Sequence, residues 1–190
     1  MIYGDSLATA YGLKQQQGWV AMLAARLKRA HPGTEVINAS VTGETTRGAA
    51  ARIATDLARH HPTLVLLELG GNDGLRGLPM RDTRANLETL IRAIRKTRAE
   101  VVLIGIQIPP NYGLDYAREF REMYPELAKQ HNLVLVPFIL DGVAEQRALF
   151  QGDGVHPTAE AQQRILDNVW PAVESALKKP PPAAKKDTNR

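Results

Sequence analysis

Four short apolar runs, spaced by longer helical stretches, constrain this chain more than any single residue does. They are Val36–Asn38, Leu64–Leu69, Val101–Ile106 and Leu133–Val136. Strand-length runs alternating with helix-length segments predict a parallel sheet covered by helices. The run Leu64–Leu69 is broken only by Glu68, the pattern of a central strand buried on both faces. The intervening helices are predicted over Trp19–Ala30, Thr46–His60, Thr83–Thr97 and Tyr116–His131. In the third, Leu87, Leu90, Ile91 and Ile94 fall three and four apart and form one apolar stripe. A last helix follows Pro157, carrying Ala161, Ile165, Val169 and Val173 on one face, with Pro171 expected to bend it or end its regular part. Completing a five-stranded doubly wound sheet requires a first strand before Gly4, and only Met1, Ile2 and Tyr3 are available. A usual strand has about five or six residues, so the reading is a trimmed chain or a start assigned late, with any leader out of sight.

The 190 residues suit one domain, expected over residues 1–178, and the hydrophobic share of 44% is that of a globular chain. No apolar run approaches the roughly 20 residues a membrane-spanning helix needs, so no integral membrane segment is expected. The chain has no cysteine, which excludes disulfides, cysteine-ligated metals and iron–sulfur clusters. The formal net charge is +4, and the last thirteen residues alone carry Lys178, Lys179, Lys185, Lys186 and Arg190 against Asp187. The rest is therefore neutral overall, without the basic stripe of a nucleic-acid binder. Residues 179–190 read as a disordered, basic, proline-rich tail.

In open parallel sheets ligands bind beyond the carboxyl ends of the strands. The polar, glycine-rich clusters fall there: Gly4-Asp5-Ser6-Leu7, Asn38 to Glu44, Gly70-Gly71-Asn72-Asp73-Gly74, and Gly152 to Pro157 ahead of the last helix. A serine hydroxyl is a weak nucleophile that needs an adjacent base, commonly a histidine oriented by a carboxylate. Asp153 and His156, three apart in a tight loop, let the carboxylate reach Nδ1–H while Nε2 points to Ser6. Donors for an oxyanion hole are the N–H groups of Ser6 and Gly43 and the side-chain amide of Asn72. Gly43 is read as a bare backbone that lets substrate approach closely. Asp5 is read as holding the nucleophile turn and Asp73 as bracing the Asn72 loop. His31, His60, His61 and His131 fall at helix ends, where a cation suits the dipole, and Trp19 and Trp170 are read as packing residues.

Each motif alone is weak, since a turn, a helix cap or half a metal site would account for it. Together, Gly4-Asp5-Ser6-Leu7, Gly43, Gly70-Gly71-Asn72-Asp73 and Asp153-Gly154-Val155-His156-Pro157 resemble the four blocks of the GDSL/SGNH hydrolase family, over about residues 2 to 177. Glu68 to Gly77 and Pro110-Asn111-Tyr112-Gly113 are similar to its bacterial thioesterase I/lysophospholipase branch. The resemblance implies a flavodoxin-like three-layer α/β/α sandwich. It also implies Ser6 as nucleophile, His156 as base, Asp153 as its orienter, and Ser6, Gly43 and Asn72 as oxyanion hole. The elbow of α/β-hydrolases is a different motif, requiring glycine where this chain has Ala8.

The expected activity is hydrolysis of acyl esters or thioesters through an acyl-enzyme, needing no metal and no organic cofactor, by a monomer acting on a small molecule. Leu75, Leu78, Ile108, Pro109 and Tyr112 are expected to line an acyl groove, with residues 74–79 either a mobile flap or a rigid hydrophobic loop. Two rivals stand beside this reading. One is a metal-dependent phosphoesterase with Asp5, Asp73, Asp153 and His156 as ligands. The other is a non-catalytic lipid- or glycan-binding module. Family resemblance implies export if a leader has been removed; otherwise the protein is cytoplasmic.

Overall fold

A computed structural model describes residues 1–178; the predicted tail, 179–190, lies outside them. Four parallel strands, β1 (Ile2–Gly4), β2 (Leu64–Glu68), β3 (Glu100–Ile104) and β4 (Val134–Val136), pair in that order. The register sets Ile2 beside Leu66, Leu66 beside Val102 and Val102 beside Val134.

The fifth strand expected at Val36–Asn38 is reduced to a single parallel bridge between Ile2 and Asn38. The segment still occupies the edge position. The Ile2 N–H donates to the Ile37 carbonyl (2.8 Å), the Ala39 N–H to that of Ile2 (2.9 Å) and the Val41 N–H to that of Gly4 (3.1 Å). Because β1 has only three residues, its outer neighbour can exchange only these few bonds before the sheet ends. The spatial order is thus edge segment, β1, β2, β3, β4, which is the flavodoxin-like order with its switch point beside β1.

Crossover handedness distributes the helices. From β1 the chain moves outward through α1 (Trp19–Ala30) to the edge segment and returns across β1 through α2 (Thr46–His60) to β2. Right-handed crossovers in opposite directions require opposite faces. Beyond β2 come the short α3 (Gly71–Leu75), α4 (Met80–Lys96) and α5 (Leu114–His131), and α6 (Gln162–Lys178) closes the described chain. Accordingly α1 packs with α6, whereas α2 packs with α4 and α4 with α5. The sheet between them is dry: Val65, Leu66, Leu67, Val102, Leu103 and Ile104 are all buried, as are the four stripe residues of α4.

Two helices begin earlier than their apolar spacing predicts. α4 starts at Met80, where the Pro79 carbonyl receives the Asp82 N–H (2.9 Å), and α5 starts after Gly113. Pro171 does not end α6. Proline removes one helical N–H, but Val169, Ala172, Val173 and Ala176 stay buried on one face and carry the helix past it. His131 departs from the dipole argument, since burial pushes its imidazole pKa down rather than favouring the cation.

Candidate active site

The rim beyond the strand ends is built from loops pinned at several points. After β1, the Asp5 carbonyl accepts the N–H groups of Ala8 and Thr9 (3.2 Å each), and its Oδ1 accepts the Leu7 N–H at 3.0 Å, an Asx turn that presents Ser6. The Trp19 indole N–H donates to the Leu7 carbonyl (2.9 Å) and the Asn38 amide to that of Ala8 (2.8 Å). Trp19, read from sequence as packing, is fully buried and also braces the nucleophile turn.

The second loop is closed by a bridge between Phe150 and Pro157, by the Gln151 N–H on the His156 carbonyl (2.8 Å) and by the Thr158 N–H on that of Leu149 (2.8 Å). Inside it, Asp153 Oδ1 accepts the N–H groups of Val155 (2.9 Å) and His156 (3.0 Å), while Oδ2 faces His156 Nδ1 at 2.7 Å. Those backbone donors, followed by the imidazole, lower the Asp153 carboxyl to about 2, so it is ionised across the working range.

A carboxylate can only accept, so the imidazole proton sits on Nδ1 and the Nε2 lone pair faces outward. It meets Ser6 Oγ at 2.9 Å, across 150 residues of sequence. Asp153, His156 and Ser6 therefore form one continuous hydrogen-bonded chain.

The three oxyanion candidates differ. Among the described residues the Ser6 N–H and the Gly43 N–H donate to no other protein group. The Asn72 amide, at the start of α3, donates to both Asp5 Oδ2 (2.9 Å) and the Glu44 carbonyl (3.0 Å), so a substrate oxygen must share one of these hydrogens. Gly43 has φ +77°, and a side-chain carbon there would meet nothing within 4 Å. The left-handed backbone itself calls for glycine, and the open space beside it leaves room for a substrate to approach.

Asp73 does more than brace the Asn72 loop. Its buried carboxylate accepts the Thr46 N–H (2.9 Å) and hydroxyl (2.5 Å), fixing the start of α2. The phosphoesterase donor set is not assembled, because Asp73 faces Thr46 while Asp5 faces Leu7 and Asn72. Among the described residues no three His, Asp or Glu side chains come together as metal ligands.

Behind the nucleophile lies a feature that sequence reading passed over. Glu68, at the end of β2, is fully buried; its Oε2 accepts the Asp5 N–H at 3.2 Å, and its Oε1 has no partner among the described residues. Burial, then the neighbouring Asp5, pushes its carboxyl well up, and burial also raises Asp5. The folded chain thus holds a Glu68 proton that the unfolded chain releases above about pH 4. Stability is lost as pH rises, by about 1.4 kcal/mol per pH unit for one such proton. Glu68→Gln, a neutral isostere, is expected to gain stability relative to the parent between pH 5 and 7 in urea titrations. A constant difference across that range would show that the carboxyl is not raised.

A groove of about 590 Å³ opens from Ser6, Asn72 and His156, within the usual range for small-molecule sites. Of the expected lining residues, Leu75, Ile108 and Pro109 face it. Leu78 and Tyr112 do not: the Leu78 carbonyl accepts the Tyr116 hydroxyl (2.7 Å), and Tyr112 is exposed in a 3₁₀ turn after β3. Residues 74–79 are tied at several points, by the Leu78 N–H on the Asp73 carbonyl (3.0 Å), by this Tyr116 bond and by Arg76 on the Gly43 carbonyl (3.1 Å). The opposite wall comes from the segment after β4, with Phe138, Leu140, Ala144 and Phe150 beside Ile106 and Val155, and with Glu145 and Arg147 contributing charge. The apolar run Phe138-Ile139-Leu140 just past the last strand was the signal for it.

The profile of the GDSL-like Lipase/Acylhydrolase family matches residues 2–164. Esterase TesA of Pseudomonas aeruginosa is 44% identical over 177 residues, covering 93% of this chain and 88% of that protein. Thioesterase 1/protease 1/lysophospholipase L1 of Escherichia coli is 38% identical over 167 residues, covering 88% of this chain and 79% of that one. Among solved structures, the psychrotrophic esterase EstA from Pseudoalteromonas sp., inhibited by monoethylphosphonate, superposes with a TM-score of 0.88 at 37% identity, covering 94% of this chain and 97% of that one. With a parallel α/β sandwich, a serine–imidazole–carboxylate chain and this likeness together, the protein belongs to the GDSL-like lipase/acylhydrolase family and is an ester hydrolase.

Proposed function

We propose that the protein hydrolyses acyl esters and thioesters through an acyl-enzyme on Ser6. The observation carrying this reading is the unbroken relay from Asp153 through His156 to Ser6 at the mouth of an apolar groove. Ser6 Oγ attacks the acyl carbon as its proton passes to His156 Nε2, and Asp153 stabilises the imidazolium. The oxyanion is held by the N–H groups of Ser6 and Gly43 and by Asn72. His156 then protonates the leaving alcohol or thiol, and water repeats the sequence to release the acid. Ser6, His156 and Asp153 all come from one chain and one domain, residues 1–178, which supports a monomer acting on a small molecule. A body neutral overall speaks against a nucleic-acid partner.

An acyl-chain-length series on p-nitrophenyl esters and acyl thioesters tests the assignment of the groove. Each methylene buried there contributes up to about 0.8 kcal/mol, so kcat/KM is expected to climb by up to about fourfold per carbon until the groove is full. A fluorophosphonate should leave one adduct, on the Ser6 peptide, by mass spectrometry. A profile that only falls from acetyl onward would remove the acyl groove, and labelling elsewhere would remove Ser6.

A further inference from the structure

Ser6 and His156 sit on separate loops that share no strand pairing, yet their 2.9 Å contact needs both loops fixed. The Gln151 carboxamide spans the gap. Its Nε2 donates to the Tyr11 carbonyl (2.8 Å), on the nucleophile's segment, and to the Pro157 carbonyl (3.0 Å), next to the base. The nucleophile's segment is shaped to receive it. Gly12 has φ +74°, and the Gln151 amide oxygen fills the space a Gly12 side chain would need. The turn also holds Ala10 at φ 58°, a conformation uncommon for residues other than glycine. From that turn the Tyr11 ring lies against the His156 imidazole, with centroids 4.3 Å apart.

We propose that Gln151 is a positioning residue that straps the nucleophile loop to the base loop and so sets the Ser6–His156 distance. This rests on the Ser6 acyl-enzyme reading above. Gln151 touches no reacting atom and does not line the groove. One amide hydrogen holds the side chain to the base loop's own Pro157 carbonyl and the other reaches Tyr11, so motion of one loop against the other must break the Tyr11 bond. Misplacement of a reacting group by about 1 Å can cost up to about 10²-fold in rate. The strap therefore acts on the chemical step rather than on substrate affinity.

Gln151→Met tests this, since it keeps the side chain's length and loses both donors. Two readouts are needed: the second-order rate of inactivation by a fluorophosphonate, and the split between kcat and KM on a short p-nitrophenyl ester. The expected result is a roughly 10- to 100-fold fall in inactivation rate and in kcat, with KM within about twofold and an unchanged thermal midpoint. Inactivation within twofold of the parent would overturn the proposal, as would a fall matched by loss of folded protein. Tyr11→Ala keeps the backbone carbonyl, hence the strap, and should lose less; an equal loss would move the positioning role from the amide to the ring. If the parent itself takes no label on Ser6, the serine reading fails rather than the strap.

Discussion

Ser6→Ala is expected to lower kcat on p-nitrophenyl esters by about 10⁴- to 10⁶-fold, the scale seen when a serine nucleophile is removed. The deletion takes away one oxygen atom whose side-chain bond is to His156 Nε2. The turn around it is held by Asp5, Trp19 and Asn38 through bonds to neighbouring residues, none of which uses the hydroxyl. The thermal midpoint should therefore stay within a few degrees of the parent. Turnover retained within tenfold in a purified, folded variant would rule out the acyl-enzyme.

Asp153→Asn is expected to cost about 10³- to 10⁴-fold in kcat while leaving the loop folded. The asparagine oxygen can still accept the Val155 and His156 N–H groups that Oδ1 accepts now. Its NH₂ group would then replace Oδ2 opposite Nδ1, and two donors cannot face each other. The imidazole must move its proton to Nε2, the atom that has to receive the Ser6 proton. Nitrogen-15 NMR of the His156 ring should report this exchange of tautomers. Because the parent carboxylate is held near 2, it stays charged well below neutrality. An acid limb near neutrality in the parent's kcat/KM profile is therefore not loss of the Asp153 charge. Activity within tenfold of the parent, or an unchanged tautomer, would remove Asp153 from the relay.

Loop chemistry was more legible in the sequence than the geometry that serves it. Asp153 and His156 could be paired because their three-residue spacing in a tight turn came together with Ser6 and Asn72 in loops at the same rim; the spacing alone would equally have fitted a cap or half a metal site. The groove was half legible. Leu75, Ile108 and Pro109 belong with the polar and proline-rich loops that marked the rim. The apolar run Phe138-Ile139-Leu140 past the last strand carried the signal for the other wall without a polar motif of the site beside it, and Phe150 lies in a segment with no regular period. Leu78 and Tyr112 were misplaced because hydrophobicity does not tell which side of a loop a residue takes. Gln151 and Tyr11 gave no signal, since a glutamine that bonds two distant carbonyls looks like any surface glutamine.

By itself, the sequence determined the layered α/β architecture, the helical faces and the residue types for acyl chemistry, because periodicity and turn composition act over a few residues. Tertiary structure alone decided the remainder. It reduced the edge strand to one bridge, buried Glu68 behind Asp5, committed both Asn72 hydrogens, and brought Ser6 to His156 across the fold. Those outcomes depend on contacts between segments far apart in the chain, whose distances are set by packing of the whole core and carry no local trace.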